Sequence, residues 1–235
     1  MLTVYDFPSA AMVDDLELDL ALVGDSLGEV VYGLPNTQYV TMDLMARHVE
    51  AVARGMKQTH IVGDMPFASY GEENAALTHA QRLIDSGAHS VKLENPSDAV
   101  VRKLAAHGIP VMGHVGLTPQ SILDYKKQGK DPESARRITE DALRLQNAGC
   151  FAVVIEAVPD ALAGNISRGL TIPIIGIAAG AEVDGQVLVW HDLFGFDAKK
   201  RSYSPKMADV RGQIRRAATD WFFAVREGRF PSGQS

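Results

Sequence analysis

The sequence predicts a (β/α)₈ barrel, and three observations carry the prediction. Eight short apolar runs recur along the chain, most of them near-continuous rather than alternating, as in strands buried on both faces. Amphipathic stretches of helical period lie between them. Glycine repeatedly marks the passage from helix to strand, at Ser86-Gly87, His107-Gly108 and Asn147-Ala148-Gly149. Strands alternating with helices imply a parallel sheet, and eight such units closing on themselves give the barrel. A doubly wound open sheet is the alternative architecture.

In order along the chain, the expected strands are Leu2–Tyr5, Leu20–Gly24, Thr59–Gly63, His89–Leu93, Ile109–Gly113, Phe151–Ile155, Ile172–Gly176 and Val187–Trp190. Helical patterns include Met42–Arg54, Glu72–Ser86, Ser97–Ala106, Glu133–Asn147 and Ala208–Arg226. The polar, lysine-bearing stretch Gln120–Pro132 reads as a mobile loop rather than a domain boundary, and Pro231–Ser235 as a frayed tail. No low-complexity linker divides the 235 residues, so residues 1–235 are expected to form one barrel domain.

Composition narrows the function classes. The formal net charge of −6 and the lack of a basic stripe argue against nucleic acid and anionic membranes as partners. A single cysteine, Cys150, excludes an internal disulfide framework and a cysteine-rich metal site. Its place at the start of an apolar run reads as a buried small residue rather than a nucleophile. No apolar run approaches a membrane span, and no signal peptide is read at the start of the chain. The cytoplasm is the expected compartment.

In a barrel the C-terminal strand ends face the active site. Asp25-Ser26 follows the second expected strand, Asp64 the third, and Lys92 and Glu94 belong to the fourth. His114 follows the fifth and Glu156 the sixth. Each has an ordinary reading: a helix N-cap for a lone aspartate, a solvent-reaching lysine, a satisfied core histidine. Together they place four carboxylates, a lysine and a histidine around one mouth. Carboxylates so gathered repel one another, and a divalent cation resolves the repulsion. Hard oxygen donors favour Mg²⁺ over zinc. Gly24, Gly63 and Gly113 precede several of these residues and read either as tight strand exits or as ordinary turn chemistry. The run Gly176-Ile177-Ala178-Ala179-Gly180 is not a dinucleotide fingerprint.

Longer motifs then stand out: TVYDFPSA from Thr3, LVGDSLG from Leu22, GDMPF from Gly63, VKLEN from Val91, GHVGLTPQS from Gly113, VVIEAVP from Val153, IPIIGIAAG from Ile172 and DGQVLVWHDLFG from Asp184. In order and spacing the chain resembles the ketopantoate hydroxymethyltransferase family across nearly its whole length. The resemblance implies a barrel of the phosphoenolpyruvate/pyruvate type that binds Mg²⁺ and a 2-oxo acid. It also implies a one-carbon unit from 5,10-methylenetetrahydrofolate, and a homo-oligomer, since the family forms decamers. By matching position it implies Asp25 and Asp64 as metal ligands, with Glu94 completing the metal surroundings directly or through water. It implies Ser26 and Lys92 as holders of the 2-oxo acid, Glu156 as the base that takes the C3 proton, and His114 as a lining residue.

The pattern departs from the family at the start of the chain, where a short helical segment usually precedes the TVYD motif. It departs at Thr37-Gln38-Tyr39-Val40, in the loop 120–129, and after Pro205-Lys206. Two other readings follow. One is a related Mg²⁺-dependent aldolase or lyase on another 2-oxo acid. The lyases of the wider superfamily often carry a cysteine in a mobile loop, whereas Cys150 sits at a strand start. The other is a non-catalytic barrel, disfavoured because Asp25, Asp64, Lys92 and Glu156 are all present.

Overall fold

The computed structural model describes residues 1–122, 126–196 and 204–231. Residues 123–125 of the expected mobile loop and 232–235 of the expected tail lie outside these. The chain divides into two compact units, Met1–Val189 and Trp190–Ser235.

The first unit is a ring of eight parallel strands in chain order. β1 (Leu2–Thr3), β2 (Leu20–Val23), β3 (His60–Asp64) and β4 (Ser90–Glu94) are followed by β5 (Val111–Gly116), β6 (Ala152–Glu156), β7 (Ile174–Ile177) and β8 (Gly185–Gln186). A parallel bridge from Leu2 to Leu188 closes the ring, with the Thr3 N–H donating to the Leu188 carbonyl at 3.0 Å. Around it run α1 (Phe7–Val13), α2 (Leu27–Val30), α3 (Met42–Gly55), α4 (Glu73–Asp85), α5 (Asp98–Ala106), α6 (Pro132–Ala148) and α7 (Asp160–Gly169).

Local chemistry sets the helix starts. The side chains of Asp6, Thr41, Glu72, Ser97 and Asp131 accept from otherwise unpaired first-turn N–H groups of α1, α3, α4, α5 and α6. Pro132 adds a pre-set φ at the start of α6. At the other end of α6, Gly149 takes the left-handed conformation at φ 111°, the cap read from the sequence.

Strands β3 to β6 extend beyond their expected ends. β3 includes Asp64, β4 includes Glu94, β5 runs to Gly116 and β6 includes Glu156. The apolar pattern stops where the polar side chains begin, but the ladder is made by backbone and continues through them. The eighth strand lies before its expected place: β8 is Gly185–Gln186, of the expected Val187–Trp190 only Leu188 makes a bridge, and Trp190 opens α8 (Trp190–Phe194). The glycines read as tight exits have another role. A Cβ on Gly113 would meet Leu145 of α6 at 2.7 Å, and one on Gly63 would meet Ala88 at 3.2 Å and Leu83 of α4 at 3.3 Å. They let helices seat closely on the sheet.

Inside the ring, Leu22, Val62, Met112, Ala152, Val154, Ile175, Ile177 and Val187 form one buried cluster. Met1, Leu20 and Phe151 pack against it. This apolar filling lies one pleat below the polar residues of the mouth.

In the second unit α9 (Val210–Arg226) is capped by Asp209, whose side chain accepts from Gly212 N, and buries none of its residues in the single chain. Trp221 packs edge-on against Phe230, and the Arg226 guanidinium lies over the Phe222 ring at 4.5 Å. Among the described residues no helix is long and apolar enough to cross a membrane.

Candidate active site

The sheet register brings the expected site residues together. Asp64 of β3 pairs with Lys92 of β4, Glu94 with His114 of β5, and Gly116 with Glu156 of β6. Residues two apart on a strand share a face, so Ser90, Lys92 and Glu94 point inward while Val91 and Leu93 face the helices. The side chains therefore rise in a staircase from β3 to β6 toward the C-terminal mouth.

Asp64 is 1% exposed and Lys92 4%. The Lys92 ammonium donates to both Asp64 oxygens, at 2.7 and 2.8 Å. Burial alone would discharge this lysine, but Asp64, Asp25 and Glu94 outweigh burial and hold it charged, its pKa above the ordinary lysine value. Asp25 enters from the end of β2, where its backbone N–H donates to Asp64 Oδ2 at 3.2 Å. Its carboxyl is pushed well above the usual range, first by burial and then by Asp64 and Glu94, against the opposing pull of Lys92 and Gln120. Burial also raises Asp64, with Lys92 opposing it.

His114 lies between two carboxylates, Nδ1 at 3.4 Å from Glu94 Oε1 and Nε2 at 3.3 Å from Glu156 Oε2. These contacts are long, and neither ring nitrogen makes a well-formed hydrogen bond. Burial pulls the imidazole down, but Glu156 and Glu94 together lift it to about 9. Glu94 is displaced the other way, since His114, Lys92 and the Gln120 N–H outweigh its burial and lower it. Ser26 sits beside Asp25, and its hydroxyl is 2.8 Å from the Tyr5 hydroxyl.

The strand exits are held under backbone strain. Asn95, Ala157 and Ala178 directly follow β4, β6 and β7 with φ of 40°, 49° and 53°. Left-handed backbone at a non-glycine residue costs about 1–3 kcal/mol and persists where surroundings over-determine it. At Asn95 they do: Arg144 of α6 donates to the Asn95 side chain, to the Pro96 carbonyl at 2.9 Å and to Asp98 at 2.7 Å. That clamp sits immediately after Glu94, at the exit of β4.

One residue of the site was not singled out in the sequence. Gln120, read there as the start of a mobile loop, is fully buried. Its side-chain amide donates to Asp25 Oδ2 at 2.8 Å and to the Met65 carbonyl at 2.9 Å, and its backbone N–H donates to Glu94 Oε2 at 2.9 Å. The signal available was its place in the TPQS segment directly after β5; composition pointed the other way. Cys150 stands at the opposite end of β6, buried, its thiol pushed up to about 12 by that burial. It is not a thiolate and does not face the mouth.

Among the described residues no group of three or more His, Cys, Asp and Glu side chains is gathered closely enough to hold one ion. The donor set nevertheless fits a hard divalent cation that keeps water or substrate oxygens, because such an ion needs only one or two carboxylates from the protein. Asp25 and Asp64, whose groups meet where the Asp25 N–H donates to Asp64 Oδ2, are the carboxylates that would supply these. Four carboxylates face only two cations, Lys92 and His114, and burial first, then the neighbouring Asp64 and Glu94, push Asp25 toward protonation.

Fold and site together define a barrel enzyme that works on a small molecule at the C-terminal ends of its strands. The family model for ketopantoate hydroxymethyltransferase matches residues 1–233. The 3-methyl-2-oxobutanoate hydroxymethyltransferase of Pyrobaculum neutrophilum is 47% identical over 98% of this chain and 91% of its own length. Those of Syntrophotalea carbinolica and Bacillus cereus are 48% and 46% identical, each over 98% of this chain, and over 90% and 86% of their own lengths. The chain belongs to the ketopantoate hydroxymethyltransferase family and is a hydroxymethyltransferase. Among solved structures, a phosphonopyruvate hydrolase complexed with oxalate and Mg²⁺ superposes with a TM-score of 0.67 at 10% identity, over 100% of this chain and 85% of its own. A 2,3-dimethylmalate lyase of the PEP mutase/isocitrate lyase superfamily superposes with a TM-score of 0.65 at 14% identity, over 100% and 84%. These likenesses are of fold alone, a (β/α)₈ barrel.

Proposed function

We propose that the enzyme transfers a hydroxymethyl group from 5,10-methylenetetrahydrofolate to 3-methyl-2-oxobutanoate, giving 2-dehydropantoate for pantothenate synthesis. The observation that carries this reading is the staircase Asp25–Asp64–Lys92–Glu94–His114–Glu156 in a chain whose relatives bear that substrate's name. Asp25 and Asp64, with Glu94 directly or through water, would hold Mg²⁺, which when bound would supply Lewis acidity toward a chelating 2-oxo acid.

The chain's own residues do the rest. Lys92 places a fixed positive charge beside Asp64, where negative charge builds on the 2-oxo oxygen as C3 is deprotonated. Ser26 orients the substrate carboxylate. Glu156, the most solvent-accessible of the four carboxylates, takes the C3 proton. His114 lies between Glu156 and Glu94, lends both a positive charge when protonated, and lines the pocket. The folate brings the one-carbon unit at the formaldehyde level: C3 bonds to the methylene carbon, both of that carbon's C–N bonds break, water supplies the hydroxyl oxygen, and tetrahydrofolate leaves with the two protons lost by C3 and water. In this reading residues 1–235 act as one catalytic domain in the cytoplasm, and copies of the chain assemble as a homo-oligomer. The exposed Trp221, Phe222 and Phe223 of α9 support that assembly.

The test is exchange of the C3 proton of 3-methyl-2-oxobutanoate in D₂O, without folate, followed by NMR. Exchange that requires Mg²⁺ supports the reading. Its absence, under conditions where the protein is folded, overturns the reading.

A further inference from the structure

Asp25 lies just past the end of β2 and Glu94 ends β4, two strands that are not neighbours. The ladder fixes the register of adjacent strands only, so nothing in the sheet sets the separation of these two carboxylates directly. They also repel: Glu94 is one of the charges that raise Asp25. A third element has to hold them. Gln120, from the loop after β5, reaches both, one through its side chain and the other through its backbone.

All the polar atoms of Gln120 are engaged. Its Nε2 faces two acceptors, Asp25 Oδ2 and the Met65 carbonyl, which fixes the orientation of the amide. Its Oε1 accepts from the Tyr70 hydroxyl, and its carbonyl accepts from Gln38 Nε2 at 2.8 Å. A neutral amide can sit between two carboxylates without adding charge, and a fully satisfied buried network is rigid. The Gln38 contact ties the loop at Thr37–Tyr39, from one side of the mouth, to the loop that follows β5.

We propose that Gln120 is a positioning residue that fixes the spacing of Asp25 and Glu94 across the mouth, with Gln38 and Tyr70 holding it in register. The inference rests on the proposed function for its consequence, Mg²⁺ affinity, but not for its geometry. Gln120→Met keeps the length of the side chain and removes its donors. In a crystal structure of that variant without metal, Asp25 or Glu94 is expected to move by more than about 0.5 Å, the tolerance of a productive site. Mg²⁺ binding measured by calorimetry is expected to weaken by about 10–100-fold, as for loss of a ligand-orienting partner. In turnover the loss should fall on kcat more than on the KM for the 2-oxo acid. Gln38→Leu, nearer the surface, should weaken Mg²⁺ by about 2–10-fold, one neutral hydrogen bond.

Carboxylates that keep their places in Gln120→Met, with Mg²⁺ affinity unchanged, overturn the proposal whatever happens to the melting temperature. If Gln120→Met does not fold, the crystal structure and Mg²⁺ affinity of Gln38→Leu decide in the same two directions. If the wild type binds no Mg²⁺ at all, the proposed function fails, and the displacement of Asp25 or Glu94 alone decides the role of Gln120.

Discussion

The floor and the mouth of this barrel are one pleat apart and governed by opposite energetics. Along β3 the floor residue is Val62 and the mouth residue Asp64; along β5 they are Met112 and His114; along β6, Val154 and Glu156. Each pair shares a strand face, and nothing in the backbone distinguishes its members. Below, burial removes apolar surface from water and stabilises the fold by about 25 cal/mol per Å². Above, burial strips water from charges, and the ion pairs only partly offset that cost. The difference shows that the mouth is kept for chemistry and the floor for stability, and substitutions should separate the two.

The largest expected effect belongs to Glu156. Glu156→Gln should lower kcat for C3 exchange by about 10²–10⁴-fold, the usual contribution of a positioned base. The midpoint of urea unfolding should change little, because the side chain is 20% exposed and its partner His114 keeps Glu94. Stopped exchange together with a large loss of stability would erase the separation of mouth from floor.

Asp64 should combine both penalties. Asp64→Asn leaves Lys92 buried without its doubly bonded partner, and breaking a buried pair from one side costs about 3–5 kcal/mol. Equilibrium unfolding in urea measures it, and activity should fall as well. Met112→Ala, one pleat down, should cost about 2–5 kcal/mol through the cavity it opens. Its kcat per folded molecule should stay near the wild-type value. A Met112→Ala enzyme that is stable but slow would mean that the floor shapes the site.

Much of this was legible in the sequence, for physical reasons that also explain what was not. The ring, its parallel order and the capped helices follow from apolar runs, helical periods and caps such as Thr41 and Gly149. The family motifs placed Asp25, Asp64, Lys92, Glu94, His114 and Glu156, and the register brings β3 to β6 of that set side by side. At β3 to β6 the apolar pattern stops short of the strand end, because Asp64 and Glu94 pair through their backbones, whereas the expected first two strands run past their ends at Thr3 and Val23. Gln120 opens a polar stretch, where a glutamine is ordinarily solvated. Its burial depends on two carboxylates distant in sequence, Asp25 and Glu94. The left-handed Asn95, Ala157 and Ala178 left no trace either, since neither asparagine nor alanine announces a positive φ as glycine does.

The smallest expected effect is a slope with pH, and its sign follows from the mouth alone. His114 is held at about 9 in the folded protein against 6.5 as the ordinary value. A raised pKa contributes stability that is fully present below 6.5 and is lost as pH climbs through about 9. Asp25, also raised, acts in the same direction: its proton favours the folded state, and that benefit fades as pH rises above the ordinary 3.8. The Met1 amine, lowered from 8.0 mainly by burial, opposes them within the same window. The melting temperature of protein stripped of divalent ions should therefore decline between pH 6.5 and about 9, and His114→Gln should flatten the decline. Added Mg²⁺ should also flatten it, because a cation between Asp25 and Asp64 takes over from the proton. A wild-type curve that matches His114→Gln throughout would show that the mouth carries no protonic strain. The contrast with the floor, where Met112 and Val154 have nothing to titrate, would then rest on packing alone.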